Sequence, residues 1–182
     1  MGKLMYSAIA SLDLYVAGED GKWDWSIPSD EVHAAVNDRS RSQGTWLLGR
    51  RMYDVLEAWE TMDDPAPEMR DFAAIWRGAD KVVYSRTLEE PRTKRTRIER
   101  EFEPEAVRAM KDEAGHDISV GGPGLAAQAL RAGLVDEIDL FLSPIVIGGG
   151  NPALPSGFQI PLELTAQRRF ANGVVYLGYR VV

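Results

Sequence analysis

The stretch Asp117 to Leu130, reading DISVGGPGLAAQAL, constrains the fold more than any other part of the chain. A short apolar run, Ile118 to Val120, meets Gly121-Gly122-Pro123-Gly124 and then an Ala/Leu-rich segment of helical character. This order predicts a strand, a glycine turn and a helix N-terminus. Glycine lets backbone pass close to a ligand because no Cβ stands in the way, and the first-turn N–H groups of the helix point at whatever sits there. The partial positive charge of that helix end favours an anion, typically a phosphate. The same Gly-Gly pair also serves any tight strand-to-helix connection, so its meaning depends on what else converges on it.

Strands and helices alternate around this turn. Lys3 to Ala10 is a mostly apolar run and predicts a buried first strand. Ser11-Leu12-Asp13 leaves it, Tyr15 to Gly18 leads into the turn residues Glu19 to Lys22, and Trp23-Asp24-Trp25-Ser26-Ile27-Pro28-Ser29-Asp30 follows. Two tryptophans beside a carboxylate read either as a binding loop or as a lid over the core, with Ser29 capping the next helix. A polar helix is expected from Asp30 to about Ser42, a strand from Thr45 to Gly49, and a helix from Arg50 to Leu56 opening directly off that glycine. Arginines 50 and 51 at a helix N-terminus oppose the macrodipole, which suggests an anionic visitor or simply solvated side chains. Further on come a helix from Glu68 to Arg77, a strand from Asp80 to Tyr84 ending at Ser85-Arg86, and a charged surface loop from Arg92 to Arg100 with a short strand near Thr96 to Ile98.

Pro104 opens a helix to about Glu113, and the helix after Gly121-Gly122 runs to about Ala132 with Gly133 as its C-terminal cap. Asp136 to Pro144 reads as a strand running on into a loop containing Gly148-Gly149-Gly150. Two alternating runs, Leu162 to Phe170 and Val174 to Val182, meet at Asn172-Gly173, a strong hairpin signal. The expectation is an α/β fold: a three-layer α/β/α sandwich around a mainly parallel mixed sheet with a C-terminal antiparallel hairpin, residues 1–182 forming a single domain.

Composition removes several classes of function. A formal charge of -7 argues against sequence-independent binding of nucleic acid, which needs a basic footprint. No apolar run approaches the roughly 20 residues of a membrane span, and the first residues, MGKLMYSAIASLD, lack the long apolar stretch of a cleavable signal, so a cytoplasmic location is expected. Cysteine is absent, which excludes disulfides, thiolate catalysis and cysteine-ligated zinc. With only His33 and His116, and no carboxylates at ligand spacing, no metal site is expected. Ser119 and Ser143 lack a nucleophile-elbow sequence, and no GK[ST] follows the Gly148 loop, so neither a hydrolase nor a P-loop is supported.

Four local matches fall in one order along the chain, and together they resemble the dihydrofolate reductase fold. Val16-Ala17-Gly18 followed by Trp25 to Asp30 is similar to that family's valine-isoleucine-glycine loop and its tryptophan, proline and acidic residue. Gly49-Arg50-Arg51 resembles its glycine-arginine step at a cofactor-binding helix, and Ser85-Arg86 stands where the family surrounds the 2'-phosphate of NADPH. Gly121-Gly122 resembles a pair that the family joins by a cis peptide beneath the pyrophosphate. Ser11-Leu12-Asp13, together with Val135 to Leu140 leading into Pro144 to Gly150, resembles the riboflavin-pathway reductase branch, the C-terminal domain of the bacterial bifunctional deaminase-reductase RibD. The deaminase half of that protein needs a His/Cys zinc site, which this cysteine-free chain lacks.

The resemblance implies an NADPH-dependent oxidoreductase that delivers a hydride to a pyrimidine- or pteridine-like small molecule. 5-Amino-6-(5-phosphoribosylamino)uracil is the substrate of the riboflavin branch, and dihydrofolate or another pteridine is the alternative. A nucleotide-binding or assembly protein without turnover is the competing class. The implied cofactor residues are Ala10, Ala17 and Gly18 around the nicotinamide, then Gly49, Gly121, Gly122, Pro123, Gly124 and Leu125 under the pyrophosphate, with Arg50, Arg51, Ser85 and Arg86 at the 2'-phosphate. Trp25 and Asp30 are the implied substrate contacts. Asp30 is also the candidate proton donor, expected partly buried, with a helix-capping role as the alternative. Trp23, Trp25 and Trp46 are expected near the site, and a homodimer is implied, with the apolar terminal strands offering a surface for it.

Overall fold

The computed structural model describes residues 1–63 and 65–182. Ten strands and five α-helices follow in the order β1 Leu4–Ser11, β2 Tyr15–Ala17, α1 Asp30–Ser40, β3 Gln43–Gly49, α2 Arg50–Leu56, α3 Pro67–Gly78, β4 Asp80–Tyr84, β5 Thr96–Glu99, α4 Pro104–Glu113, β6 Asp117–Gly121, α5 Pro123–Arg131, β7 Glu137–Ser143, β8 Asn151–Pro152, β9 Leu162–Arg169 and β10 Val175–Val181. Single 3-10 turns cover Asp24–Ser26 and Glu57–Glu60. No helix among the described residues is long and apolar enough to cross a membrane.

Eight strands form one sheet in the order β5-β4-β3-β6-β1-β7-β10-β9. β5 through β7 are mutually parallel, while β10 runs antiparallel to β7 and β9 antiparallel to β10. Strand alternation divides the buried side chains between two faces. Leu4, Tyr6, Ala8 and Ala10 of β1, with Leu47, Val82 and Val120, pack against Val107 of α4 and Leu125, Ala126, Ala129 and Leu130 of α5. The alternate residues Trp46, Leu48 and Val83 pack with Tyr53 of α2 and Phe72 and Trp76 of α3. Val32 of α1 covers Phe141, Phe170 and Val174 on the same side of the sheet. The molecule is therefore the three-layer α/β/α sandwich that the alternation predicts.

Local chemistry explains the element ends. Proline stands at the first turn of α3, α4 and α5, where its missing N–H costs nothing. Gly133 closes α5 in a Schellman turn, its N–H reaching Leu130 O at 3.1 Å and that of Leu134 reaching Ala129 O at 3.0 Å. The terminal hairpin differs from a two-residue Asn-Gly turn. Gly173 alone takes a positive φ, +88°, and its N–H bonds Phe170 O at 3.1 Å, which makes a three-residue loop of Ala171, Asn172 and Gly173. A second departure is the small antiparallel pair β2–β8, formed where the sequence reads only as loops.

Buried charge crosses the α1 side of the sheet. Asp139 is 1% exposed and accepts bonds from Tyr176 Oη at 2.6 Å and Arg39 Nε at 2.9 Å. Arg39 also reaches Glu137, which in turn holds Lys3 Nζ at 2.6 Å. Burial and the Asp139 carboxylate both push the Tyr176 hydroxyl up from its ordinary value.

Candidate active site

Strand register lines up the carboxyl ends of four parallel strands. Leu48 lies opposite Gly121, Gly49 opposite Tyr84, and Tyr84 opposite Glu99, so the residues that leave β6, β3, β4 and β5 emerge side by side. From β3 the chain moves towards β4, and from β6 it crosses β1 to reach β7. Neighbouring strands whose connections depart in opposite directions open a crevice between them, the usual ligand position in open α/β sheets.

Gly49 and Gly122 meet in this crevice. A Cβ added to Gly122 would lie 3.5 Å from Met52 Cβ and 3.9 Å from the amide nitrogen of Gly49. Gly122 has φ +94° and ψ 127°, a region that side chains with a Cβ rarely adopt. The Gly121-Gly122 peptide bond is trans, since no cis bond occurs among the described residues, contrary to what the resemblance implies. The first intrahelical bond of α5 runs from Ala126 N to Gly122 O, so the N–H groups of Gly124 and Leu125 precede it and have no partner within the helix. Helices α2 and α5 carry no acidic residue in their first turns, whereas α1, α3 and α4 do. Neither of these two helix starts sets a carboxylate against an anion.

A cleft of about 470 Å³ opens beside these turns, lined by Gly49, Ser85, Arg86, Leu125 and four residues that follow or end β4 and β5: Tyr84, Arg100, Glu101 and Phe102, with Gln128 of α5 completing the wall. Tyr84 and Phe102 form an aromatic shelf with ring centroids 5.5 Å apart. Burial pushes the Tyr84 hydroxyl up to about 12, with Glu99 adding to the effect. Arg100 is held rigidly, its Nη1 donating to Ser85 O at 2.9 Å and Leu88 O at 2.6 Å. Arg86 is exposed and pairs with Glu101 at 3.0 Å. The sequence did not single out Tyr84, Arg100, Glu101, Phe102 or Gln128. The available signal was the short strand near Thr96: read as a parallel neighbour of β4, it would have put Arg100 to Phe102 at the same edge as Ser85-Arg86.

Of the residues named from sequence, Gly49, Ser85, Arg86 and Leu125 line the cleft and the others do not. Ser85 is buried, and its Oγ accepts the N–H groups of Thr87 and Leu88 at 3.3 and 3.1 Å, closing a local turn. Arg50 is tied to Asp54 one helical turn on, at 2.9 Å, while Arg51 is exposed and has no side-chain partner among the described residues. Pro123 and Gly124 form the first turn of α5. Ala10 is fully buried under the sheet edge, and Trp46 belongs to the core against Phe72 and Trp76 rather than to the site.

Ala17 and Gly18 lie further along the edge, where Gly150 approaches so closely that a Cβ on it would fall 2.0 Å from Ala17 O. Gly18, Glu19 and Asp20 face Ile147, Gly148 and Gly149 across a second hollow of about 460 Å³. Trp25 is half-buried in the 3-10 turn. Asp30 is exposed as the first residue of α1, so the expectation of a partly buried carboxylate is not met. Ser29 holds the N-cap position without a side-chain cap bond. His33 is buried between the rings of Trp59 and Phe72, and His116 bonds Thr45 Oγ1 at 2.9 Å.

The chain and its fold have counterparts among known proteins. A family model described as the RibD C-terminal domain matches residues 2–176. An uncharacterized protein of Bacillus subtilis, YyaP, is 27% identical over 179 residues, covering 97% of this chain and 94% of that protein. A putative riboflavin biosynthesis protein from Shewanella sp. PV-4 superposes with a TM-score of 0.76 at 18% identity, covering 99% of each chain. Dihydrofolate reductase from Enterococcus faecalis, complexed with NADP(H) and RAB-propyl, superposes with a TM-score of 0.68 at 13% identity, covering 98% of this chain and 96% of that one.

Proposed function

Because the chain belongs to the RibD C-terminal domain family and has the dihydrofolate reductase-like fold, we propose that it is an NADPH-dependent oxidoreductase acting on a pyrimidine- or pteridine-like ring. One observation carries the reading: Gly49, which the Gly122 backbone approaches, lines one cleft together with Leu125 in the first turn of α5 and with Arg86 and Arg100. That donor set fits a phosphorylated dinucleotide. Glycines admit the pyrophosphate, the N–H groups of Gly124 and Leu125 bind its oxygens, and the Tyr84–Phe102 shelf receives the adenine. Arg86 grips the 2'-phosphate after releasing Glu101, with Arg100 as a fixed second cation.

The bound cofactor would supply the hydride. The chain's own residues hold the reacting ring and exclude water. Ala17 and Gly18 leave room for the nicotinamide beside the ends of β1 and β7, and Trp25 covers the substrate side. Asp30, exposed at the start of α1, passes a proton from solvent to the reduced ring. Homodimerisation is part of the proposal, supported by β9, which is exposed at every residue on the sheet's outer edge, and by the exposed side chains of Leu162, Leu164 and Val182.

Mixing the protein with NADPH and a dihydropterin or a ribosylaminopyrimidine tests the activity. Oxidation of the cofactor that depends on both protein and ring compound is expected, together with quenching of Trp23 and Trp25 fluorescence on NADPH binding. Binding without any oxidation across those rings would move the reading to a nucleotide-binding protein that does no chemistry.

A further inference from the structure

We infer that Asp13 is a positioning residue for the nicotinamide end of the crevice: its carboxylate ties the loop after β7 to the segment after β1 and so fixes the backbone of Ala17 and Gly18. The inference rests on the reductase reading and deepens it. β1 and β7 end side by side, Ser11 opposite Ser143, and the two chains that leave them stay clasped. Leu12 N–H donates to Ile145 O at 2.8 Å. Asp13 accepts the N–H of Ile147 at 3.2 Å and that of Gly148 at 2.8 Å. Ala153 N–H donates to Leu14 O at 2.8 Å, and Tyr15 and Ala17 pair with Pro152 and Asn151 across β2–β8. Leu14, between these bonds, takes φ +65°, a left-handed turn uncommon for a bulky residue that its surroundings must hold in place.

Little besides Asp13 anchors the loop of residues 144–150. It contains no charged residue, and Ile145 and Val146 are 37% and 65% exposed. Gly148 and Gly150 take φ of +80° and +134°, so ordering this backbone costs more conformational freedom than usual. Among the described residues, Asp13 is the one side chain that hydrogen-bonds it. The successive N–H groups of Ile147 and Gly148 form a concavity suited to an anion, and a carboxylate has an acceptor oxygen for each. The Ser11 hydroxyl and these N–H groups hold the Asp13 carboxyl below its ordinary range, so it stays ionised near neutral pH.

The clasp bears directly on Ala17 and Gly18. Gly150 lies so close that a Cβ on it would fall 2.0 Å from Ala17 O, and Gly18 shares the wall of one hollow with Gly148 and Gly149. Displacement of the loop therefore reaches the backbone beside the nicotinamide by contact. Deeper in, Tyr6 Oη pins Ala153 O at 2.7 Å inside the core, so that end of the clasp is held without Asp13. The cleft lined by Gly49, Arg86 and Arg100 has no residue in common with the clasp, and the adenosine end of the cofactor should not feel its release.

Calorimetric titration of the full chain with NADPH and with 2'-phospho-ADP-ribose, the same cofactor without its nicotinamide, separates the two ends. The native chain is expected to bind NADPH about ten-fold more tightly than the fragment. Asp13→Asn keeps the size but replaces one acceptor oxygen by a donor. It should erase most of that difference, keep the fragment's affinity within about two-fold of the native value, and speed amide exchange at Ile147 and Gly148. Gly150→Ala strikes the clasp from the other chain and should erase the difference too. An undiminished difference in Asp13→Asn overturns the inference, as does equal weakening of NADPH and the fragment, the mark of a merely structural role. Equal affinity of the native chain for the two ligands also overturns it while leaving the reductase reading in place, whereas a native chain that binds neither removes both.

Discussion

Gly122 and Gly49 touch backbone to backbone: a Cβ on Gly122 would reach within 3.9 Å of the Gly49 amide nitrogen. The nearest side-chain atom, Met52 Cβ, would sit at 3.5 Å, an ordinary contact, so space alone does not require glycine here. The backbone does, because φ is +94°. Gly122→Ala is expected to cost about 1–3 kcal/mol of stability from backbone strain. Relaxing the turn would also displace the Gly124 and Leu125 donors, so NADPH affinity should fall by roughly ten-fold or more, about 1.4 kcal/mol. Denaturant titration and calorimetry on the purified variant measure the two effects separately.

Glu101 holds Arg86 at 3.0 Å on an exposed surface and would face the cofactor's 2'-phosphate. Such exposed pairs contribute about 0–1 kcal/mol, so releasing the arginine costs little. Glu101→Gln should leave the melting temperature almost unchanged and tighten NADPH binding by up to about five-fold, corresponding to roughly 1 kcal/mol. An NADPH titration reads this directly; weaker binding would mean that Glu101 supports the cofactor instead of competing with it.

Three elements match the chain's own punctuation residue for residue, and a fourth ends at the glycine expected to cap it. Arg50–Leu56 opens off Gly49, Pro104–Glu113 begins at its proline, Asp80–Tyr84 fills the interval before Ser85, and Gly133 ends α5. These are local signals, settled by capping chemistry and apolar period within a few residues. The positions of Arg100, Glu101 and Phe102 were not legible because they depend on a long-range fact, the parallel pairing of β5 with β4. A four-residue strand of alternating charge gives no periodic sign of that partner. Trp46 shows the opposite limit: its neighbours in sequence suggest a site, but alternation along β3 turns its ring into the α2–α3 core. Asp30 was identifiable as an acid near a helix start, but its exposure depends on how the loop before it packs.

His33 provides a pH test of the packing beside α1. Burial among Trp59 and Phe72 pulls its imidazole below the ordinary histidine value, with Asn37, Glu68 and Asp30 acting in the opposite direction. The folded state therefore prefers the neutral ring, and the unfolded chain binds the proton more readily. Stability from this group is present above about pH 6.5, the unperturbed histidine value, and is lost as pH falls through the lowered folded value. Melting temperatures recorded across that range should decline on the acid side for the native chain, and His33→Phe should flatten part of the decline.

Asp139 anchors a buried network that is separate from the cleft, with β1 and β6 standing between its strand and β3. Asp139→Asn keeps the shape but removes the charge that Arg39 and the Tyr176 hydroxyl meet. A loss of about 1.5–3 kcal/mol is expected, the range for hydrogen bonds to a charged group. Urea unfolding measures it, and the NADPH affinity of the folded variant should equal that of the parent chain.

A cradle for a phosphorylated dinucleotide is tested most directly by a pair of equilibrium titrations with NADPH and NADH on the native chain and on Arg86→Ala. NADPH is expected to bind the native chain at least ten-fold more tightly than NADH, and the substitution to remove most of this preference while barely changing NADH. Equal affinities for the two cofactors on the native chain, or a preference untouched by the loss of Arg86, would contradict this expectation.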